Sequence, residues 1–144
     1  MSTTTTRVTL RAGERIFING AVLKSNGRSS LEILNDVPYL VEHEIMHAQQ
    51  TSTPLRQLYY ILQTMVMEPR GLERAGGVYL ETMQLLCETL TNAAVLAGLE
   101  TIRQQVAEGS PFAALKTLRT LIPVEDAILG GTRSSELRVV GVGQ

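Results

Sequence analysis

The stretch Val37-Pro38-Tyr39-Leu40-Val41-Glu42-His43-Glu44-Ile45-Met46-His47 decides what kind of protein this chain makes. Its last five residues read H-E-x-x-H, the pattern in which two imidazoles one helical turn apart hold zinc and the glutamate activates water. That chemistry needs an α-helix. Here Val37, Tyr39, Val41, His43 and Ile45 alternate with Leu40, Glu42, Glu44 and Met46, and Pro38 precedes most of them, which is a strand pattern. In a strand the two imidazoles stand about 13 Å apart at about 3.3 Å per residue. One ion with Zn–N bonds of about 2 Å cannot join them, and Glu44 points to the opposite face. His43 and His47 are the only histidines in the chain, so no third imidazole completes a set. The stretch is expected to be the last strand of a sheet, with no metal bound.

Working upstream, the first third of the chain reads as short strands. Val8 and Leu10 alternate with Arg7, Thr9 and Arg11, Ala12-Gly13-Glu14 turns the chain, and Arg15 to Asn19 is again strand-like. Two Asn-Gly pairs follow, Asn19-Gly20 and Asn26-Gly27, each able to adopt the positive φ angles of a hairpin turn. Leu31 and Ile33 share one face of a further strand. The expectation is an antiparallel five-stranded meander that buries little alone and docks on helices or on a second copy.

Downstream of residue 52 the period becomes helical. Ser52-Thr53-Pro54 supplies a cap and first-turn proline, and Leu55, Leu58, Tyr59 and Leu62 recur at helix spacing until Glu68-Pro69. The glycines between Pro69 and Gly77 predict a loop. Residues 78–108 predict the longest helical stretch, with Gly98 kinking or splitting it. Gly109-Ser110-Pro111 starts a last helix with Phe112, Leu115, Leu118 and Ile122 on its inner face, which Pro123 ends. The predicted class is α+β: residues 1–50 an antiparallel β platform, 51–129 a helical lobe packed with it, and 130–144 a flexible tail, together one compact unit.

Composition narrows the function. No apolar run approaches the roughly 20 residues of a membrane span, and MSTTTTRVTL carries no secretory apolar core. Cys87, the single cysteine, excludes an intrachain disulfide, fits a reducing compartment and reads as a buried, inert thiol. The methionines at 65, 67 and 83 read as core filler. No P-loop, G-x-S-x-G or CxxC pattern is present, and the acidic pairs Glu42/Glu44 and Glu125/Asp126 read as solvated charges. Nothing asks for an enzyme or a cofactor. Charge is uneven, however. Arg7, Arg11, Arg15, Lys24 and Arg28 face a single Glu14 within residues 1–28, while the remainder is acidic and the whole chain carries −1. A basic front on an acidic body suits a polyanion.

The blocks LRAGERIFINGAVLKSNGRSSLEILNDVPYLVEHEI and TPLRQLYYILQTMVMEP resemble the FlbT family of bacterial flagellum biosynthesis regulators, from about Leu10 to Pro69. Its most specific parts are Gly13 to Gly20 and Thr53 to Tyr59. The resemblance implies a cytoplasmic post-transcriptional repressor that binds the 5′ untranslated region of flagellin mRNA and lowers its translation and stability, with activation described in some relatives. The strand order alone is also similar to that of CsrA-type mRNA-binding proteins, in which basic residues on the first strand and the end of the fifth grip RNA. Arg11 falls at the first-strand position, but Leu10 stands where a second Arg is expected, and residues 41–45 carry no arginine.

On this reading Arg7, Arg11, Arg15, Lys24 and Arg28 are the candidate RNA contacts, neutralising phosphates, and Phe17 and Tyr39 are candidate base-stacking partners. The expected partner is a flagellin mRNA leader, with no membrane and with a homodimer through open sheet edges. The alternative is an adaptor whose helices capture flagellin or a FlaF-type protein and affect mRNA indirectly.

Overall fold

The computed structural model describes residues 5–68 and 70–142, with side chains as far as Gly130. In chain order the strands are β1 (Thr6–Leu10), β2 (Arg15–Ile18), β3 (Ala21–Lys24), β4 (Ser29–Ile33) and β5 (Tyr39–Val41). The helices are α1 (Pro54–Met67), α2 (Gly71–Thr89), α3 (Ala93–Ala107) and α4 (Pro111–Val142). The class is α+β, as the periodicities predict.

The strands do not form one meander. β1 pairs with β4 in a two-stranded ribbon, and β3-β2-β5 form a separate three-stranded sheet, all antiparallel. The two Asn-Gly pairs explain the difference. Asn19 and Gly20 both take positive φ, 46° and 99°, and close β2 onto β3 with Ile18 opposite Ala21. Asn26-Gly27 makes no such turn. Instead Ser25, only 8% exposed, is bonded to the β1–β2 turn: the Gly13 N–H donates to its carbonyl at 2.6 Å and its own N–H to the Glu14 carbonyl at 2.9 Å. Its hydroxyl donates to the Gly27 carbonyl. The chain therefore leaves the sheet after β3, and β4 returns to β1.

The three-stranded sheet is a middle layer. Ile16 and Val41, opposite each other in register, point one way and pack with Val8, Leu10 and Ile33 of the ribbon. Phe17 and Leu40, also opposite each other, point the other way into the helical core. There Leu55, Leu58, Leu62, Leu99, Ile102, Leu115 and Leu118 are fully buried, each worth about 1.5–3 kcal/mol over exposure. The sheet thus docks on the helices, and Phe17 is a core residue. Tyr39 stacks edge-on against Phe112 with centroids 5.5 Å apart, so packing occupies both proposed base-stacking rings. β3 is an edge strand with all four residues exposed, Val22 by 67%.

Several helix boundaries differ from expectation. α1 starts as predicted, with Thr53 Oγ1 accepting the Arg56 N–H at 3.2 Å. α2 begins at Gly71, inside the predicted loop, where the turn passes so close to α1 that a Cβ would meet the Thr64 carbonyl and the Met65 backbone. The long helix divides at Leu90–Asn92, where Asn92 Oδ1 accepts the Val95 N–H at 3.0 Å. Gly98 lies inside α3, and its missing Cβ makes room for Leu121 of α4. Gly109, at φ 85°, and the Ser110 cap deliver Pro111 at the start of α4 as predicted.

Pro123 does not end α4, which runs to Val142. Glu125 and Asp126, just past the proline, hold the segment against α1. Glu125 Oε2 accepts the Leu55 N–H at 3.0 Å, and Asp126 takes Arg56 bidentately at 2.7 and 2.9 Å. Those contacts offset the hydrogen bond a mid-helix proline removes. Glu125 is therefore buried, not solvated. Of the tail expected over 130–144, the side chains from 131 on, and for 143–144 the backbone too, lie outside the described residues. Cys87 is exposed, not buried; it stands at the margin of the Met83 and Leu86 face that α2 buries. Among the described residues no helix is long and apolar enough to cross a membrane.

Candidate nucleic-acid interface

The deciding stretch is neither a long strand nor an α-helix. β5 stops at Val41, a 3-10 turn covers Glu42–Glu44, and a second covers Ala48–Gln50. Alternation broke down because the two glutamates are committed to backbone donors. Glu44 Oε1 accepts the Val41 N–H at 3.1 Å and curls the chain back. Glu42 Oε1 accepts the Arg15 N–H at 2.7 Å. Neither is a free solvated charge. Residues 43–47 lack the helical turn that gives H-E-x-x-H its zinc geometry, and Glu44 is directed toward Val41 and Arg119.

This segment forms one wall of a cleft of about 850 Å³ lined by Thr9, Arg11, Ala12, Glu14, Arg28 and His43. A second hollow of about 590 Å³ continues from it past Glu42, His47 and Gln50. Such volumes fall in the range of about 300–1,000 Å³ that holds small organic groups, an unstacked base included.

Four of the five candidate cations gather around this end of the sheets. Arg11 directly follows β1 and Arg28 lies in the loop after β3; both line the cleft. Arg15 and Lys24 stand directly opposite each other on β2 and β3 and both are exposed. Like charges in that position repel, so an anion between them is stabilising. Among the described residues no carboxylate forms a salt bridge with the side chains of these four. Arg7 is different. It stands opposite Glu32, 3.9 Å away with both side chains exposed, and is about 13 Å along the strand from Arg11.

The cleft's acids are engaged by the fold. Glu14 Oε1 accepts the Arg11 N–H at 2.9 Å, and its Oε2 lies 3.6 Å from His43 Nδ1. The Arg11 backbone bond, with smaller help from His43 and the Arg11 charge, holds the Glu14 carboxyl below its ordinary value despite an opposing desolvation effect. His43 itself is a cleft residue that charge counting on Lys and Arg missed. Its place after the β5 turn was the available signal.

Behind the wall, Tyr59 donates to the Glu44 carbonyl at 2.6 Å and accepts from Arg119 Nε at 3.1 Å. Arg119 Nη1 lies 3.3 Å from Glu44 Oε2. Burial pushes the Tyr59 phenol above its ordinary value, against the Arg119 hydrogen bond and charge. None of these partners was legible from spacing alone.

The family described as "Flagellar protein FlbT" matches residues 6–129. A relative from Chelativorans sp. (strain BNC1), named "Probable flagellum biosynthesis repressor protein FlbT", is 41% identical over 132 residues, 92% of this chain and 91% of its own. Proteins of the same name from Brucella ovis and Brucella suis biovar 1 are 43% identical over 129 residues, 90% of this chain and 85% of theirs. These names are regulatory, not enzymatic. No solved structure matches.

Proposed function

Because the chain belongs to the FlbT family, we propose that this regulator of flagellum synthesis acts as a cytoplasmic repressor by binding the 5′ untranslated region of flagellin mRNA. The observation that carries the reading is a cleft lined by Arg11 and Arg28, with Arg15 and Lys24 facing each other at the same end of the sheets, whose acids, Glu14 and Glu42, are occupied by backbone N–H groups. Cations without carboxylate partners attract phosphates and release counterions on binding. The cleft beside them accepts an unpaired base, the form in which RNA loops are read. A leader held this way is closed to ribosome loading, which lowers translation and leaves the transcript to degradation. Arg7, paired with Glu32, contributes least.

A gel-shift titration of purified protein against a flagellin leader and a scrambled control tests the reading. Retention of the leader at lower protein concentration than the control supports it, and equal or absent retention overturns it.

One observation favours a second reading. α2 buries Tyr79, Met83 and Leu86 against its neighbours but leaves Val78 and Leu85, two turns apart on one face, exposed, apolar side chains of the kind that dock partners. An adaptor capturing flagellin or a FlaF-type protein would use them. Charged substitutions at Val78 and Leu85 then abolish regulation, whereas Arg11→Ala and Arg28→Ala leave it intact. A homodimer, expected from open edges, would use β3, whose outer edge has no strand partner among the described residues and carries the exposed Val22.

A further inference from the structure

The cleft wall over residues 42–50 has little internal support, since 3-10 turns of three residues supply few hydrogen bonds of their own. The helical lobe holds it from behind. Tyr59 and Gln63, four residues apart on one face of α1, reach it at two successive points. Tyr59 donates to the Glu44 carbonyl at 2.6 Å. Gln63, 6% exposed, spans the Met46 backbone, its Oε1 accepting the N–H at 2.7 Å and its Nε2 donating to the carbonyl at 2.9 Å. From α4, Arg119 lies 3.3 Å from the Glu44 carboxylate and donates to Tyr59, joining both helices to one residue of the wall. Ile45 and Met46 pack on the helical core. His43 and His47, on either side of the held residues, line the hollows.

Arg119 turns two of its nitrogens to this assembly, Nε to Tyr59 and Nη1 to Glu44, while its Nη2 is buried without a hydrogen-bond partner. None of Tyr59, Gln63 and Arg119 lines the cleft, so they act through the wall.

We infer that Tyr59, Gln63 and Arg119 are positioning residues that fix residues 43–47 as a rigid cleft wall, so that the helical lobe sets the grip of the basic site. The inference rests on the RNA reading of the cleft and deepens it. Any displacement of α1 against α4 reaches the site through these three side chains.

The test uses the full-length protein and the variants Tyr59→Phe, Arg119→Met and Arg119→Lys, with one readout free of RNA. Hydrogen exchange of the amides of residues 43–47 is expected to quicken about tenfold in Tyr59→Phe and Arg119→Met, the effect of losing one or two hydrogen bonds from a local opening, while α3 keeps its protection. Affinity for a flagellin leader transcript is expected to fall about fivefold with its salt slope unchanged, because no phosphate contact is lost. Arg119→Lys, which keeps the charge beside Glu44, recovers part of that affinity. Unchanged exchange at residues 43–47 overturns the clamp whatever RNA does. Faster exchange with undiminished affinity overturns its role in the grip. A wild-type protein without salt-sensitive RNA binding overturns the RNA reading itself, and the exchange result then still decides whether the helices hold the wall.

Discussion

Replacing Arg56 by Met tests how the two helices behind the cleft are joined. Glu125 has a side chain 9% exposed and uses Oε2 to cap the start of α1. Its Oε1 makes no hydrogen bond and relies on the Arg56 guanidinium 3.8 Å away. Asp126 grips the same guanidinium and holds it in its charged form. Removing one partner of a fully buried pair costs about 3–5 kcal/mol. Arg56 keeps 25% of its side-chain exposure, so water relieves part of that, and the exposed Asp126 contact adds at most about 1 kcal/mol. A net loss of about 2–3 kcal/mol follows, or roughly 5–10 °C in Tm for a chain of this size. Glu125→Gln keeps an oxygen for the Leu55 N–H and removes the charge, so alone it costs about 1 kcal/mol. The double variant is then less destabilised than the two losses combined, by at least about 1 kcal/mol. Urea denaturation of all four proteins measures this. Losses that add within about 0.3 kcal/mol would refute the coupling.

Further outcomes concern packing and pH. Gly98→Ala places a Cβ about 2.5 Å from Leu121 Cδ2 and is expected to cost about 1–3 kcal/mol in urea, with Leu121→Val relieving part of it. Gly77→Ala, exposed on α2 with open space around its Cβ, is expected to stabilise by about 0.5–1 kcal/mol. Glu14 has a folded-state pKa below its ordinary 4.5, so its contribution is present above that value and is lost as pH falls through the lowered one. Acid titrations followed by circular dichroism should show Glu14→Gln with a shallower stability loss below about pH 4.5.

What the sequence reveals depends on how far each residue's partners lie along the chain. The β2–β3 hairpin is legible because Asn19-Gly20 and the strands it joins settle the turn locally. Asn26-Gly27 has the same chemistry, but Ser25 is bonded to a turn twelve residues earlier, and that contact overrides the hairpin. α1 and the start of α4 carry their caps within three residues. The division at Asn92 was also written locally, but Gly98 drew attention as a breaker when its purpose is close approach to Leu121. Glu125 reaches Leu55 across seventy residues, which no local pattern encodes. In the site, strand alternation and turns brought Arg11, Arg15, Lys24 and Arg28 to one end. The fold added His43 and set Arg7 apart beside Glu32, while the tertiary partners Tyr59, Gln63 and Arg119 had no periodic signature.

The central claim, a basic cleft that holds a transcript, is tested most directly by titrating leader RNA at several salt concentrations against wild type and Arg11→Ala/Arg28→Ala. Four phosphate contacts predict a slope of log K against log salt near −3, falling to about −1.5 in the double variant, at about −0.7 per contact for single strands. A slope near zero in the wild type, or the same slope in both proteins, would contradict the account.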